Sequence, residues 1–336
     1  MATLNRALQA WSNYPYNQLT SQWKLVVLDK DKPIGYVLDE FVQSLKWDKS
    51  SFEFAEATRT IRLNPAKPTI EDCNRELDEF CQLNQNVPRF TAALKPWCLK
   101  KNGGQVANHH PVLTSDKDIK GLQVPSPARG IFGIETAGVH LNVYSVKIEN
   151  GVEKVDRVWV AERSTQTTYP SCYDQTVAGA MDPEDIESPI KTLRHEAIEE
   201  AGWELGSSHD AMFLPNSSQK IGSLVNAGRI YFCTKKDKTA GAKEDGHIEP
   251  GVRFCFDLKL EKGLTPTPNK EEKAIGRFLP LSVKEVIKSI EGGQWKPSSG
   301  LVMLAFLHKH GCIDNEDLDE KKLYVLPPFD LPGFSG

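Results

Sequence analysis

The chain has 336 residues, a formal net charge of -4 at pH 7 and a sequence pI near 6.1. The length suggests two domains of roughly 100–200 residues each, and 39% hydrophobic with 26% charged residues is typical of a globular protein. The mean hydropathy of -0.42, with no apolar run near roughly 20 residues, excludes a transmembrane protein, and the acidic balance disfavours nucleic acid as a partner.

The amino terminus and the cysteines indicate the cellular compartment. No basic segment followed by an apolar core opens the chain, so a secretory signal is not expected. The same region is poor in Arg, which gives a mitochondrial presequence little support. Seven scattered cysteines without a C-x-x-C pair indicate free thiols rather than disulfides or a zinc site. The cytosol is the expected compartment, with the mitochondrion left open.

Helical and extended patterns alternate in the first part of the chain. Apolar residues at helical spacing predict helices over 4–11 and 34–46, with the strand Trp23–Leu28 between them. Residues 52–63 fit either a strand pair or a helix. The stretch from Thr69 to Leu83 predicts a helix that Thr69 caps.

A polar stretch with prolines, from Thr114 to Arg129, predicts a linker. The expected organisation is therefore an α+β amino-terminal domain over 1–125, a second domain over 126–313 and a carboxy-terminal tail over 314–336.

The second half of the chain alternates strand and helix patterns. Such an order predicts a mixed sheet between helices, an α+β arrangement. The predicted strands are 139–146, 157–163, 176–178, 228–234, 252–258 and 275–280, and the predicted helices are 189–201, 282–290 and 300–310.

The helix near residue 190 contains the most informative pattern. Ser188 suits an N-cap, Pro189 the first helical position and Gly202 the carboxy-terminal stop. Its apolar face is expected to comprise Ile190, Leu193, Ala197 and Ala201.

The same helix has three carboxylates on one adjacent face. Glu196, Glu199 and Glu200 occupy positions i, i+3 and i+4, where like charges cost a few tenths of a kcal/mol per pair. A solvated acidic face is the ordinary explanation for such a helix. The alternative is a hard divalent cation, since Mg²⁺ binds carboxylates together with substrate phosphates.

This segment resembles the Nudix box, G-x5-E-x7-R-E-U-x-E-E-x-G-U, where U is apolar. The matching residues are Glu187, Glu196, Ala197, Glu199, Glu200, Gly202 and Trp203. Two positions depart from the pattern: His195 stands at the Arg, and Met181 stands at the Gly, with Gly179 two residues upstream. The resemblance implies a Nudix α/β/α sandwich with a mixed sheet.

Further segments are similar to the Nudix subfamily related to the amino-terminal part of fungal thiamin pyrophosphokinases. They are Phe132–Asn142, Trp159–Ser164, Tyr169–Gly179 and Gln294–Gly311. This resemblance implies a Mg²⁺-dependent pyrophosphohydrolase, with Mn²⁺ as an alternative metal. It also implies activity on thiamin diphosphate, and preferentially on its damaged oxo and oxy forms, giving monophosphates.

The implied roles follow from the box. Glu196 and Glu200 would bind the metal, and Glu199 would be a further ligand or the catalytic base, a role for which Glu196 is also a candidate. Glu272, beside Glu271, is the candidate for a distal acidic ligand, although a solvated turn explains it equally well. The predicted substrate contacts are His140, Asn142, Arg163, Tyr169, Tyr173, Asp174 and Gly179.

Other functions stay open at this level. A hydrolase of ADP-ribose or an oxidised nucleotide would use the same metal chemistry. A non-catalytic diphosphate sensor would tolerate His195 and the altered glycine. A thiamin pyrophosphokinase is a further idea, for which the residues after 313 leave little room. The expected partner is a small-molecule diphosphate, with a homodimer left open and neither nucleic acid nor a membrane expected.

Overall fold

The computed structural model describes residues 2–114, 116–165, 167–181, 185, 188–314 and 316–324. The helices are α1 (Ala2–Trp11), α2 (Tyr16–Leu19), α3 (Asp39–Ser44), α4 (Ile70–Asn84), α5 (Thr91–Asn102), α6 (Pro189–Ala201), α7 (Val283–Glu291), α8 (Pro297–Lys309) and α9 (Glu320–Leu323). The strands are β1 (Trp23–Val27), β2 (Gly35–Val37), β3 (Phe52–Ala55), β4 (Thr60–Leu63), β5 (His109–Pro111), β6 (Gln123–Pro125), β7 (Thr136–Glu149), β8 (Val152–Arg163), β9 (Tyr173–Gln175), β10 (Val177–Ala180), β11 (Glu204–Leu205), β12 (Ala211–Phe213), β13 (Lys220–Lys235), β14 (Ile248–Leu260) and β15 (Ile275–Ser282).

The amino-terminal part of the chain is built on a four-stranded sheet in the order β2-β1-β4-β3. The strands β1 and β4 run parallel, while β2 and β3 pair antiparallel at the two edges. A cluster of buried aromatic rings fills its core, and Phe80 of α4 lies 4.7 Å from Phe132, centroid to centroid. This core therefore continues past residue 125, as far as Ile134, and includes Cys233 and Ile248 of the larger sheet.

Most predicted elements of this part are confirmed. The strand at β1 is present, and residues 52–63 form the strand pair β3–β4. The helix α4 has the predicted cap, because the Thr69 side chain accepts a hydrogen bond from the Asp72 amide at 3.1 Å. The helix α5 was not predicted.

The helix predicted over 34–46 is wrong in its first half. Residues Gly35–Val37 form β2, and the Ile34 amide donates to the Leu25 carbonyl at 2.8 Å. The helix α3 begins only at Asp39. All three residues of β2 are buried, so pairing with β1 overrides a periodicity that also suits a helix.

The second sheet has nine strands, with a main path β11-β12-β13-β14-β7-β8-β15 and with β10 and β9 paired to β7 and β8. The pairing of β14 with β7 is parallel and the others are antiparallel. One face packs against α6, and the other packs against α1, α7 and α8. The α+β class and the layered arrangement of helix, mixed sheet and helix are thus confirmed.

The strands of this sheet extend beyond their predicted bounds. The strand predicted over 228–234 belongs to β13, which begins at Lys220. A register shift between Asn226 and Gly228 interrupts its alternation, as a β-bulge does. The pattern before Gly228 therefore hid the first half of the strand.

A segment just before the large sheet is held by close backbone contacts. Gly133 has φ of +56°, and a Cβ there would overlap the Tyr36 carbonyl, so this position requires glycine. The Ile248 amide also donates to the Gly130 carbonyl at 3.0 Å. These contacts join residues 129–134 to both sheets.

All seven cysteines are free, as predicted. Within the described ranges, no helix combines the length and the apolar character that crossing a membrane requires.

Candidate active site

The helix α6 presents its carboxylates as the sequence predicts. It begins at Pro189 and ends before Gly202, whose φ of +66° is left-handed, the usual conformation of a glycine that stops a helix. Leu193, Ala197 and Ala201 are buried against the sheet. This burial fixes the rotation of α6 and hence the direction of its acidic face.

Two of the three helix carboxylates pack on β10. A Cβ on Gly179 would overlap the Glu196 carboxyl group, so the absence of a side chain at residue 179 makes room for that carboxylate. The Ala178 amide donates to Glu200 Oε2 at 2.7 Å. Both glutamates are half-buried, whereas Glu199 is exposed.

Glu200 is held in an environment that disfavours a negative charge. Burial, followed by the negative charge of Glu196, raises the pKa of Glu200 well above its usual range, against the opposing hydrogen bond from the Ala178 amide. A cation beside this pair would offset both unfavourable contributions.

The predicted distal acid lies near this pair. The Asn269 amide donates to the Glu200 carbonyl at 2.8 Å, and the Glu272 amide donates to the Asn269 carbonyl at 3.1 Å. The charge of Glu272 also contributes to the raised pKa of Glu200. Backbone hydrogen bonding thus holds the turn that contains Glu272 beside the carboxy-terminal end of α6.

The structure also places the residues that depart from the Nudix box. His195 is exposed, with its Nδ1 3.2 Å from Asp185 Oδ2. Met181 is buried in the core beneath α6, so Gly179 provides the space beside Glu196. Glu187, which matches the box, lies outside the described residues.

A cavity of about 220 Å³ opens beside the same segment of β10. Four cationic side chains and two carboxylates line it, together with two buried histidines whose pKa burial lowers to about 3. The cations therefore outnumber the anions in its wall at neutral pH. The lining residues are His110, Arg129, Thr136, Ala137, Gly138, His140, Thr168, Tyr169, Ala178, Gly179, Ala180, Lys236, Glu244, Glu249, Arg253 and Lys296.

Three of the four cations are paired with carboxylates. Lys236 Nζ lies 2.7 Å from Glu249 Oε2 and also contacts Glu244. Arg253 Nη2 lies 3.0 Å from Glu249 Oε1. Burial alone would raise the pKa of Glu249, but Lys236 and its other cationic neighbours hold it well below the usual range.

Lys296 belongs to a second buried network, centred on Asp174. Asp174 Oδ2 accepts from Arg163 Nη1 at 2.7 Å and from Lys296 Nζ at 3.3 Å, and Asp174 Oδ1 accepts from Ser299 Oγ at 2.6 Å. The carboxylate is 3% exposed, so these partners must satisfy it in place of water.

The predicted substrate contacts separate into two groups. His140, Tyr169 and Gly179 line the cavity. His140 Nδ1 donates to Gln175 Oε1 at 2.5 Å, which leaves its ring orientation fixed.

The other four predicted contacts do not line this cavity. Arg163 and Asp174 bind each other. Asn142 Nδ2 donates to Asp257 Oδ1 at 2.9 Å, which places it further along β7 than His140. The Tyr173 ring packs on Trp295 with centroids 5.8 Å apart. Contact between these four residues and a substrate stays a prediction.

Sequence reasoning missed most of the charged wall. His110, Arg129, Lys236, Arg253 and Lys296 are separated by up to 186 positions in the chain. No spacing rule connects isolated basic residues in five different elements and loops. Lys296 lies within a segment that the resemblance singled out, and the looser resemblance of the amino-terminal part reaches His110.

The donor set fits Mg²⁺ in one specific way. In the described part of the chain, no group of three His, Cys, Asp or Glu side chains is placed to hold a metal ion. Mg²⁺ commonly uses one or two carboxylates and completes its shell with water and substrate phosphates. Glu196 and Glu200 therefore fit a metal that binds together with an anionic substrate.

Filling the space beside Glu196 should disturb this pair selectively. Because Glu196 is a predicted metal ligand and candidate base, we expect Gly179→Ala to lower hydrolytic activity at least about 10-fold, a loss that a displacement of about 1 Å can cause. The free energy of unfolding should change little, since Glu196 is half-buried and can rotate outward. Steady-state kinetics and urea unfolding of the variant measure the two effects.

Gly276→Ala is the matched control, because its Cβ would meet only the Glu162 carbonyl at 3.3 Å. Unchanged activity in Gly179→Ala would show that the position of Glu196 is unimportant.

Comparisons with known proteins identify one curated relative. No protein-family model matches the chain. The chain is 31% identical over 190 residues to a Saccharomyces cerevisiae protein, "Uncharacterized protein YJR142W", with 56% of this chain and 51% of that protein covered. The chain thus spans about half the length of this relative.

Several solved structures superpose on part of the chain. DR0079 from Deinococcus radiodurans has 16% identity, covers 51% of this chain and 83% of its own, and gives a TM-score of 0.33. A NUDIX hydrolase from Nitrosomonas europaea has 16% identity, 60% and 99% coverage and a TM-score of 0.31. The NUDIX domain of Shewanella oneidensis NrtR, complexed with ADP ribose, has 10% identity, 47% and 79% coverage and a TM-score of 0.30. Superpositions at these TM-scores establish neither a family nor an activity for the chain.

Proposed function

We propose that this protein is a Mg²⁺-dependent Nudix pyrophosphohydrolase that acts on thiamin diphosphate derivatives, preferentially the damaged oxo and oxy forms. The observation that carries the proposal is the position of Glu196 and Glu200. Their carboxylates contact Gly179 and Ala178 of β10, and these two residues also line the cation-rich cavity. The proposed metal-binding pair on α6 and the proposed anion-binding wall therefore both contact the same strand, β10.

The proposed division of labour follows from charge. Lys236, Arg253 and Lys296 line the cavity and would bind phosphate oxygens. Glu196 and Glu200 would hold Mg²⁺, which when bound neutralises phosphate charge and acidifies a water molecule.

The general base is proposed among the helix carboxylates. Glu199 directly precedes Glu200 in α6 and is exposed, so its carboxylate can accept a proton from an attacking water. Glu196 is the alternative base, and Glu272 is the proposed distal ligand.

The thiamin assignment has separate support. It depends on the sequence segments that resemble the thiamin-pyrophosphokinase-related subfamily, of which Tyr169–Gly179 borders the cavity. Tyr169 is an aromatic residue in the cavity wall, and a ring face suits the heterocycles of thiamin. The cytosol is the proposed setting, since free cysteines suit a reducing compartment.

A substrate panel tests the proposal. Phosphate release would be measured with Mg²⁺ and thiamin diphosphate, its oxo and oxy forms, ADP-ribose and 8-oxo-dGDP. The highest kcat/KM on an oxo or oxy form is the expected result, with no release in EDTA.

The other outcomes separate the remaining functions. Preference for a nucleotide would overturn the thiamin assignment and keep the hydrolase. Tight binding of one compound without turnover by any would indicate a diphosphate sensor, and His195→Arg would then test whether activity is restored.

A further inference from the structure

Arg129 belongs to the segment that precedes the large sheet and yet lines the cavity. The Ile134 amide donates to the Arg129 carbonyl at 3.0 Å, and the next residue, Gly130, accepts from the Ile248 amide at 3.0 Å. A Cβ on Gly130 would lie 2.7 Å from the His247 Cβ, so the backbone approaches β14 closely here. The position of Arg129 relative to the cavity is therefore well fixed.

Arg129 lies near enough to Glu249 for its charge to lower the pKa of that carboxyl, but it differs from the other three cations of the wall in its bonded partners. Lys236, Arg253 and Lys296 each contact a carboxylate. Among the described residues, no hydrogen bond or ion pair reaches the Arg129 guanidinium, which is half-buried. Within the described part of the chain, its N–H donors are the ones in this wall that a ligand can use without breaking an existing hydrogen bond or ion pair.

His110 provides a second, independent observation. The side chain lines the same cavity and is 8% exposed, and its Nε2 is buried without a hydrogen-bond partner. A buried polar nitrogen left unpaired costs about 1–3 kcal/mol. A ligand that hydrogen-bonds to Nε2 would remove this cost.

Both side chains line the cavity, and the charge of Arg129 acts on the His110 ring. Burial, followed by the charge of Arg129, lowers the pKa of His110 to about 3, so the imidazole is neutral at pH 7. A neutral ring can donate from Nε2 to a phosphoryl oxygen beside the guanidinium.

We propose that Arg129 and His110 bind the phosphate group of the substrate, so that the amino-terminal part of the chain completes the active site. This inference depends on the proposed diphosphate chemistry. The ligand is an inorganic or organic diphosphate whose phosphoryl oxygens take the unused guanidinium donors. Arg is suited to this role because its planar fork can bind two oxygens at once.

The cavity size agrees with this ligand. The cavity volume of about 220 Å³ is many times the roughly 10–15 Å³ that one water molecule requires, so the cavity has room for phosphoryl groups.

Binding of inorganic pyrophosphate to the full-length protein in EDTA tests the inference by calorimetry, without turnover or metal. We expect Arg129→Gln to weaken binding at least 10-fold, and Arg129→Lys to lose less because it keeps the charge. Arg6→Gln is the matched control, since Arg6 is exposed on α1 and should bind as the wild type does. His110→Leu should weaken binding about 3- to 10-fold.

Kinetics on the best substrate of the panel provide a second readout. Arg129→Gln should raise KM more than it lowers kcat. Equal pyrophosphate affinity in Arg129→Gln and the wild type would overturn the inference while leaving the hydrolase proposal intact. Conversely, Arg129-dependent pyrophosphate binding without turnover of any diphosphate would uphold the inference and reject the hydrolase.

Discussion

Replacing Glu200 by Gln is expected to lower kcat/KM for the preferred diphosphate by about 100- to 1,000-fold, the cost of losing one electrostatic contact to a transition state. In the wild type the Ala178 amide donates a hydrogen bond to Glu200 Oε2 at 2.7 Å. Gln keeps a side-chain oxygen that can accept the same hydrogen bond. The variant therefore loses the negative charge and little else. Steady-state kinetics over a range of Mg²⁺ concentrations measure the loss, and the Mg²⁺ required for half-maximal rate should rise.

The thermal stability of Glu200→Gln distinguishes a metal-binding role of Glu200 from a structural role. Because burial and then Glu196 raise the pKa of Glu200 in the folded protein, the folded state holds the proton more tightly than the unfolded state. Ionisation therefore destabilises the fold as the pH rises above the unfolded pKa. Glu200→Gln removes this cost, so its thermal midpoint at pH 8 should equal or exceed that of the wild type.

Glu291→Gln, at the exposed end of α7, is the matched control and should change neither rate nor midpoint. Wild-type rates in Glu200→Gln would contradict the assignment of the metal site.

Replacing Asp174 by Ala is expected to lower the free energy of unfolding by about 3–5 kcal/mol, the usual cost of breaking a buried ion pair on one side. Lys296 and Arg163 would lose the carboxylate that they share, and Ser299 would lose its acceptor. Urea unfolding at pH 7 measures the change. Asp245→Ala, at an exposed position, is the control and should stay within about 0.5 kcal/mol of the wild type.

The pH dependence of this loss has a definite sign. Burial opposes ionisation, but Lys296 and Arg163 hold the pKa of Asp174 below its usual range. Its contribution is therefore fully present above the unfolded pKa of about 4 and is lost as the pH falls through the folded pKa. The difference between Asp174→Ala and the wild type should shrink below pH 4. A loss under 1 kcal/mol at pH 7 would show that the network contributes little.

Local sequence determined the elements whose signals are short-range. The bounds of α6 followed from Pro189 and Gly202, and the shared face of Glu196 and Glu200 followed from their i, i+4 spacing. Capping by Thr69 was also predictable, because the cap and its acceptor lie three residues apart. These features depend on backbone geometry that neighbouring residues set by themselves.

Tertiary structure decided the features that depend on distant partners. Gly35–Val37 forms a strand because it pairs antiparallel with β1, although its apolar spacing equally suits a helix. Asp174 is a predicted substrate contact, and Lys296, 122 positions away, is one of the partners that bind its carboxylate. The cationic wall brings together Arg129, Lys236 and Arg253 from separate parts of the chain. Burial and long-range charge pairing determine these placements, and neither leaves a periodic signal in the sequence.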